Sequence, residues 1–179
     1  MRGRKVLVPV DGSEFSSSAF RTLARLFDPE ETHVTLVHVA AVPEGIPGPV
    51  PEPMIIGADN PWHNAPYRDS LFSSQEWEST RAEVLTSMED DVTRLSDAGF
   101  TVTRVVRFGD PAQEIADLVE EQDFDAVVMA THGRSGLSRA VLGSVAESVL
   151  RMVLAPVIMV RARRAETERF PVEELLQRT

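Results

Sequence analysis

No cysteine occurs among the 179 residues, which excludes disulfides, thiol chemistry and Cys-based metal sites. Basic residues are few: 18 Lys and Arg stand against 28 Asp and Glu, for a formal charge of −10. A nucleic-acid surface needs clustered Lys and Arg to displace counterions, so no nucleic-acid partner is expected. The one tight basic cluster, Arg161, Arg163 and Arg164, reads as a solvated end of the domain. No apolar stretch reaches the length of a membrane span, and Met1–Lys5 leads straight into a strand pattern rather than a signal peptide. A cytoplasmic protein without membrane contact is therefore expected. Several site types are missing as well. There is no Gly-Lys pair for a Walker loop, and no Gly-x-Gly-x-x-Gly follows the first strand. In Gly133-Arg134-Ser135-Gly136-Leu137, Leu137 stands where a hydrolase elbow needs Gly. His33, His38, His63 and His132 lack the spacing of a zinc pair, so neither a metal site nor a catalytic set is expected.

What is present alternates. Apolar runs at Lys5–Val10, His33–Val39, Thr101–Arg107, Ala126–Ala130 and Pro156–Val160 read as strands. Helical spacing appears near Ser13–Phe27 (stripe Phe15, Ala19, Leu23, Leu26) and Gln75–Ala98 (Trp77, Val84, Met88, Val92, Leu95). It recurs near Pro111–Gln122 and Gly143–Val153. Asp110, Pro111 and Gln113 read as a capping box at the third helix. Strand–helix alternation with nearly all-apolar later strands predicts an α/β fold, a single doubly wound domain with a parallel sheet and helices on both faces. The length fits one domain, residues 1–162, followed by a tail, 163–179.

Two segments carry the site. Ala126–Ala130 breaks into Thr131-His132-Gly133, and nine residues later, Arg134 to Leu142, Gly143-Ser144 opens a helix. Glycines let backbone N–H groups approach an anion, and a helix start adds the positive end of its dipole. At the other segment, Asp11-Gly12-Ser13 follows the first strand. A carboxylate there can accept hydrogen bonds from a ribose at the ligand edge of an open sheet; it can equally cap the first helix.

These residues resemble the universal stress protein family. The matching pieces are Val8-Pro9-Val10-Asp11-Gly12-Ser13, His38-Val39, Gly109-Asp110-Pro111, Thr131 through Gly136, Gly143-Ser144-Val145 and Pro156–Val160. Together they span about Lys5 to Val160 in order. The resemblance implies a five-stranded parallel sheet and a site for ATP, ADP or AMP, with any Mg2+ held by phosphates and water. It implies ligand contacts from Pro9, Val10, Asp11, Val39, Met129, Ala130, His132, Gly133, Arg134, Gly143, Ser144 and Val145. Asp11 would hold the ribose, the Val39 backbone the adenine edge and Met129 the ring. The phosphates fall to Gly133, Gly143, Ser144 and Val145, with Arg134 or Arg139 neutralising charge. The family's Gly-x-x-Gly begins here with Ala130, whose methyl disfavours positive φ and crowds the ribose side. It also implies that Pro156–Val160 is an edge strand pairing with its copy in a homodimer.

Three functions follow in order: an adenine-nucleotide-binding stress or signalling protein, a dimeric interaction module that binds no nucleotide, and a slow ATPase or nucleotidyl transferase. No activated nucleophile or base is evident, so a non-enzyme is expected. The Pro-rich segment Ala40–Ser74 reads either as a lid over the site, with Trp62, His63 and Tyr67 available to pack, or as a surface loop. In the tail, Phe170, Val172, Leu175 and Leu176 can form one apolar stripe behind Pro171, giving a docked short helix or a solvated terminus.

Overall fold

Five of the apolar runs form five parallel strands in the computed structural model, which describes residues 3–13, 17–41, 54–56, 75–131 and 143–161. The elements, in chain order, are β1 (Arg4–Pro9), α1 (Ser17–Leu26), β2 (Thr32–Ala40), β3 (Met54–Ile56), α2 (Gln75–Ser87) and α3 (Glu89–Asp97). They continue with β4 (Thr101–Phe108), α4 (Pro111–Gln122), β5 (Ala126–Ala130), α5 (Ser144–Met152) and β6 (Val157–Val160). The sheet order is β3-β4-β2-β1-β5-β6. Every neighbouring pair is parallel except β3 with β4, which runs antiparallel with Ile55 opposite Val105. The short β3 lies inside the Pro-rich segment, at the sheet edge, where proline-flanked strands are tolerated.

Alternation sorts the core into two layers. Val6, Val8, Val34, Leu36 and Val128 face α1 and the α2–α3 pair, burying Phe20, Leu23, Met88 and Leu95. Leu7, Val37, Val105, Val127 and Met129 face α4 and α5, burying Ile115, Leu118 and Val149. Each such side chain contributes about 1.5–3 kcal/mol through burial.

Three expectations are corrected. The helix read over Gln75–Ala98 is two helices broken at Met88, although its apolar spacing runs through the break. Met88 N–H donates to Leu85 only three residues back, at 3.2 Å, and Arg104 of β4 donates from Nη1 to the Leu85 carbonyl (3.3 Å) and also to Glu89. A strand arginine thus satisfies a carbonyl at the end of α2 and pairs with the first side chain of α3. Leu26, placed on the buried stripe of α1, is 57% exposed because the helix ends with it. The capping box is half a box. Asp110 accepts from Ala112 N (3.1 Å) and Gln113 N (3.0 Å), but the Gln113 amide turns to Asp117 at 2.7 Å. Removing that cap in Asp110→Ala is expected to cost about 1 kcal/mol. That corresponds to roughly 2–4 °C for a domain of this size, read by thermal melting.

Candidate functional site

The chain passes from β1 to β2 on one side and later returns with β5 on the other. The sheet therefore changes direction between β1 and β5, where open α/β sheets bind ligands. The β1–β5 register stops at Leu7↔Val127. By contrast, β1 stays with β2 up to Pro9↔Val37, and β5 stays with β6 up to Ala130↔Val160. The carboxyl ends of β1 and β5 thus bound a crevice.

On the β1 wall, Val10 is buried and its N–H donates to the Val37 carbonyl at 2.8 Å. Half-buried Asp11 follows. Its Oδ1 accepts from Ser13 N (3.0 Å) and Ser13 Oγ (2.6 Å), around Gly12 at φ 73°, a left-handed conformation suited to glycine. Residues 12 and 13 are a bend, not a helical turn. The carboxylate locks an Asx turn at the strand end.

On the β2 side, alternation fixes which backbone groups are offered. The Val37 carbonyl points toward β1, and the Ala40 carbonyl points toward β4, accepting Gly109 N–H at 3.1 Å. Val39, two residues beyond Val37, therefore aims its N–H and C=O toward β1 as well, past the point where that ladder ends. The Val39 backbone edge faces the crevice.

The β5 wall holds Met129, buried in the α4–α5 layer, and the half-exposed Ala130. Thr131 then does structural work that the sequence did not reveal. Its N–H donates to the Val160 carbonyl (2.9 Å), and its carbonyl accepts from Gly143 N (2.9 Å). The two ends of the glycine-containing loop are pinned together. A Cβ on Gly143 would lie 3.0 Å from the Thr131 oxygen, so the pinch favours glycine although φ there is −60°. Gly143 is also the N-cap of α5, and no side chain caps it. The N–H groups of Ser144, Val145 and Ala146 precede the first helical bond, Glu147 N to Gly143 O at 2.9 Å. His132, Gly133, Arg134, Gly136 and Arg139 lie outside the described residues, as do Trp62, His63 and Tyr67. Among the described residues no group of three metal-binding side chains occurs.

One sheet edge therefore collects a carboxylate, a free-running backbone edge and the N-terminus of a helix. Such a set suits a polar ligand with an anionic end. A family profile of the universal stress proteins matches residues 3–161. The chain belongs to the universal stress protein family. A universal stress protein from Methanothermobacter thermautotrophicus is 31% identical over 159 residues, covering 88% of this chain and 95% of that protein. Universal stress protein MJ0577 from Methanocaldococcus jannaschii is 33% identical over 81 residues, a match spanning half of its length. Its solved structure superimposes with a TM-score of 0.63 at 25% identity, covering 92% of this chain and 99% of that one. A family member from Arabidopsis thaliana, solved with AMP bound, superimposes with a TM-score of 0.59 at 19% identity, covering 94% and 97%. Within this universal stress protein fold no described helix is long and apolar enough to cross a membrane.

Proposed function

We propose that this universal stress protein binds an adenine nucleotide in the β1/β5 crevice as a stress-response or signalling component rather than as an enzyme. The observation that carries the reading is the convergence of Asp11, the Val39 backbone edge and the Gly143–Ser144 helix start at the topological switch point. In it, Asp11 holds the ribose, Val39 reads the adenine edge and Met129 packs on the ring beside Pro9, Val10 and Ala130. The N–H groups of Gly133, Gly143, Ser144 and Val145 receive the phosphates, with His132 and Arg134 beside them. Mg2+ is held by the phosphates and water. The AMP bound to the Arabidopsis relative is the ligand class this site fits.

Isothermal titration with ATP and Mg2+ tests it. Saturable heat is expected, Asp11→Ala should weaken ATP and adenosine alike, and Ala130→Gly should bind equally well or better. No heat and no thermal shift at millimolar ATP would leave a nucleotide-free interaction module, the reading that Ala130 favours.

The same protein is proposed to be a homodimer. Among the described residues β6 pairs only with β5, and its four residues are apolar and half-buried. Unpaired edges of this kind are capped or paired in natural proteins. Antiparallel pairing with a second copy satisfies it under two-fold symmetry. Light scattering at micromolar concentration is expected to give a dimer mass; a monomer that persists with nucleotide present overturns the pairing.

A further inference from the structure

Arg107 is buried one residue before the end of β4. Its guanidinium crosses to α4 and spans two carboxylates: Nη1 lies 3.4 Å from Glu114 and 3.3 Å from Glu121, and Nη2 bonds Glu121. Its Nε, also buried, has no hydrogen-bond partner among the described residues. Burying a cation with one N–H unsatisfied is costly, and an apolar side chain of similar size would hold α4 about as well. What the fork adds is direction. The apolar contacts of Ile115 and Leu118 with the sheet have no preferred alignment, whereas two carboxylates seven residues apart fix α4 along its axis.

That axial position reaches the crevice by two short routes. Val39 stands opposite Arg107 in the β2–β4 ladder, with His38 opposite Val106 and Ala40 opposite Phe108. Because Val39 turns its own N–H and C=O toward β1, the pairing of its neighbours with β4 positions it. The second route is the β4–α4 turn. Gly109, at φ 142°, donates to the Ala40 carbonyl at 3.1 Å, and a Cβ there would lie 3.0 Å from Glu114 Oε1. Glu114 thus lies against the residue that anchors Ala40. We propose, on the reading in which Val39 takes the adenine edge, that Arg107 is a positioning residue of the nucleotide site. Its fork to Glu114 and Glu121 sets the Val39 edge at the height and tilt that distinguish adenine from other bases.

Isothermal titration with ATP and with ITP tests it. ITP has the same ribose and triphosphate but a carbonyl in place of the 6-amino group and a proton on N1. A backbone N–H and C=O set for adenine meets the wrong partner at both atoms, so the full chain is expected to bind ATP at least about tenfold more tightly. In Arg107→Met with Glu114→Gln the strap is gone while the apolar stem remains. ATP affinity is expected to fall about tenfold and ITP affinity little, so the preference drops by nearly the same factor, with circular dichroism unchanged. Arg107→Lys keeps a cation but lacks the fork that bridges both carboxylates. It is expected to lose about threefold of the preference, and it carries the test where the double variant does not fold. Equal losses for ATP and ITP in a folded variant make Arg107 a support of the fold alone and overturn the proposal, as does an unchanged preference. A full chain that binds ATP and ITP equally overturns it too, by removing Val39 as the reader of the base, while the crevice remains a nucleotide site. No binding of either ligand to the full chain removes the nucleotide reading itself, and this proposal with it.

Discussion

Gly143→Val is expected to lower ATP affinity about a hundredfold, the equivalent of two lost charge-assisted hydrogen bonds at about 1.5 kcal/mol each. The cause is local. Gly143 donates to Thr131 O at 2.9 Å, and a Cβ would meet that same oxygen at 3.0 Å. Either the carbonyl withdraws or the start of α5 shifts, and both move the N–H groups of Ser144 and Val145 from the phosphates. The crowding also costs about 1–3 kcal/mol of stability, the usual penalty for overpacking. Titrations of the variant therefore belong well below its melting temperature. Adenosine, which lacks phosphates, should lose much less affinity than ATP. Equal losses for the two ligands would place Gly143 away from the phosphates and restrict its glycine preference to the Thr131 pinch. Gly143→Ala separates the contributions further, since it adds the clashing Cβ without the branched methyls.

That preference illustrates what a sequence can and cannot reveal. Glycine in a loop before a helix was legible as a close-approach position, but what it approaches first is a carbonyl of its own chain. The five parallel strands were legible because each is an apolar run bounded by turn residues. The cap at Asp110 was legible because its chemistry is local. β3 was not: Met54–Ile56 is three residues among prolines and is a strand only because β4 offers it an edge. The break at Met88 was hidden for the opposite reason. Val84, Met88, Val92 and Leu95 keep helical spacing through it, and the residue that bridges the two helices, Arg104, comes from β4. Of the site, Asp11 and Val39 stand where strand ends predict them. The pinning of the loop at Thr131 was not legible, because the two bonds that make it run between backbone atoms.

Arg107 was equally unremarked, although a trace of it was present: an arginine inside Val105-Val106-Arg107-Phe108, with Glu114 and Glu121 seven residues apart on α4. Its side chain is 4% exposed and ties β4 to that helix, with Nη1 reaching Glu114 at 3.4 Å and Nη2 bonded to Glu121. Arg107→Ala is expected to cost about 3 kcal/mol, from the lost packing of its stem and from carboxylates left without a cation. Glu121→Ala should cost under about 1 kcal/mol, because Glu121 is half exposed and water replaces the pair. The loss in Arg107→Ala should also depend on pH. Burial already raises the Glu114 pKa, and Arg107 is the main influence lowering it. Without Arg107 the folded-state pKa moves further above the unfolded value. A carboxyl of that kind stabilises the fold fully below its unfolded pKa, and the contribution is lost as pH rises through the folded pKa. The deficit of Arg107→Ala should therefore be largest near neutrality and shrink on acidification toward pH 4.5, the ordinary glutamate value. Adding Glu114→Gln should remove that pH dependence, and Arg107→Met with Glu114→Gln should recover most of the stability by keeping the apolar stem. Denaturant melts of the four variants at neutral and acid pH decide it. If Arg107→Ala costs no more than Glu121→Ala at either pH, the strap does not hold α4 to the sheet.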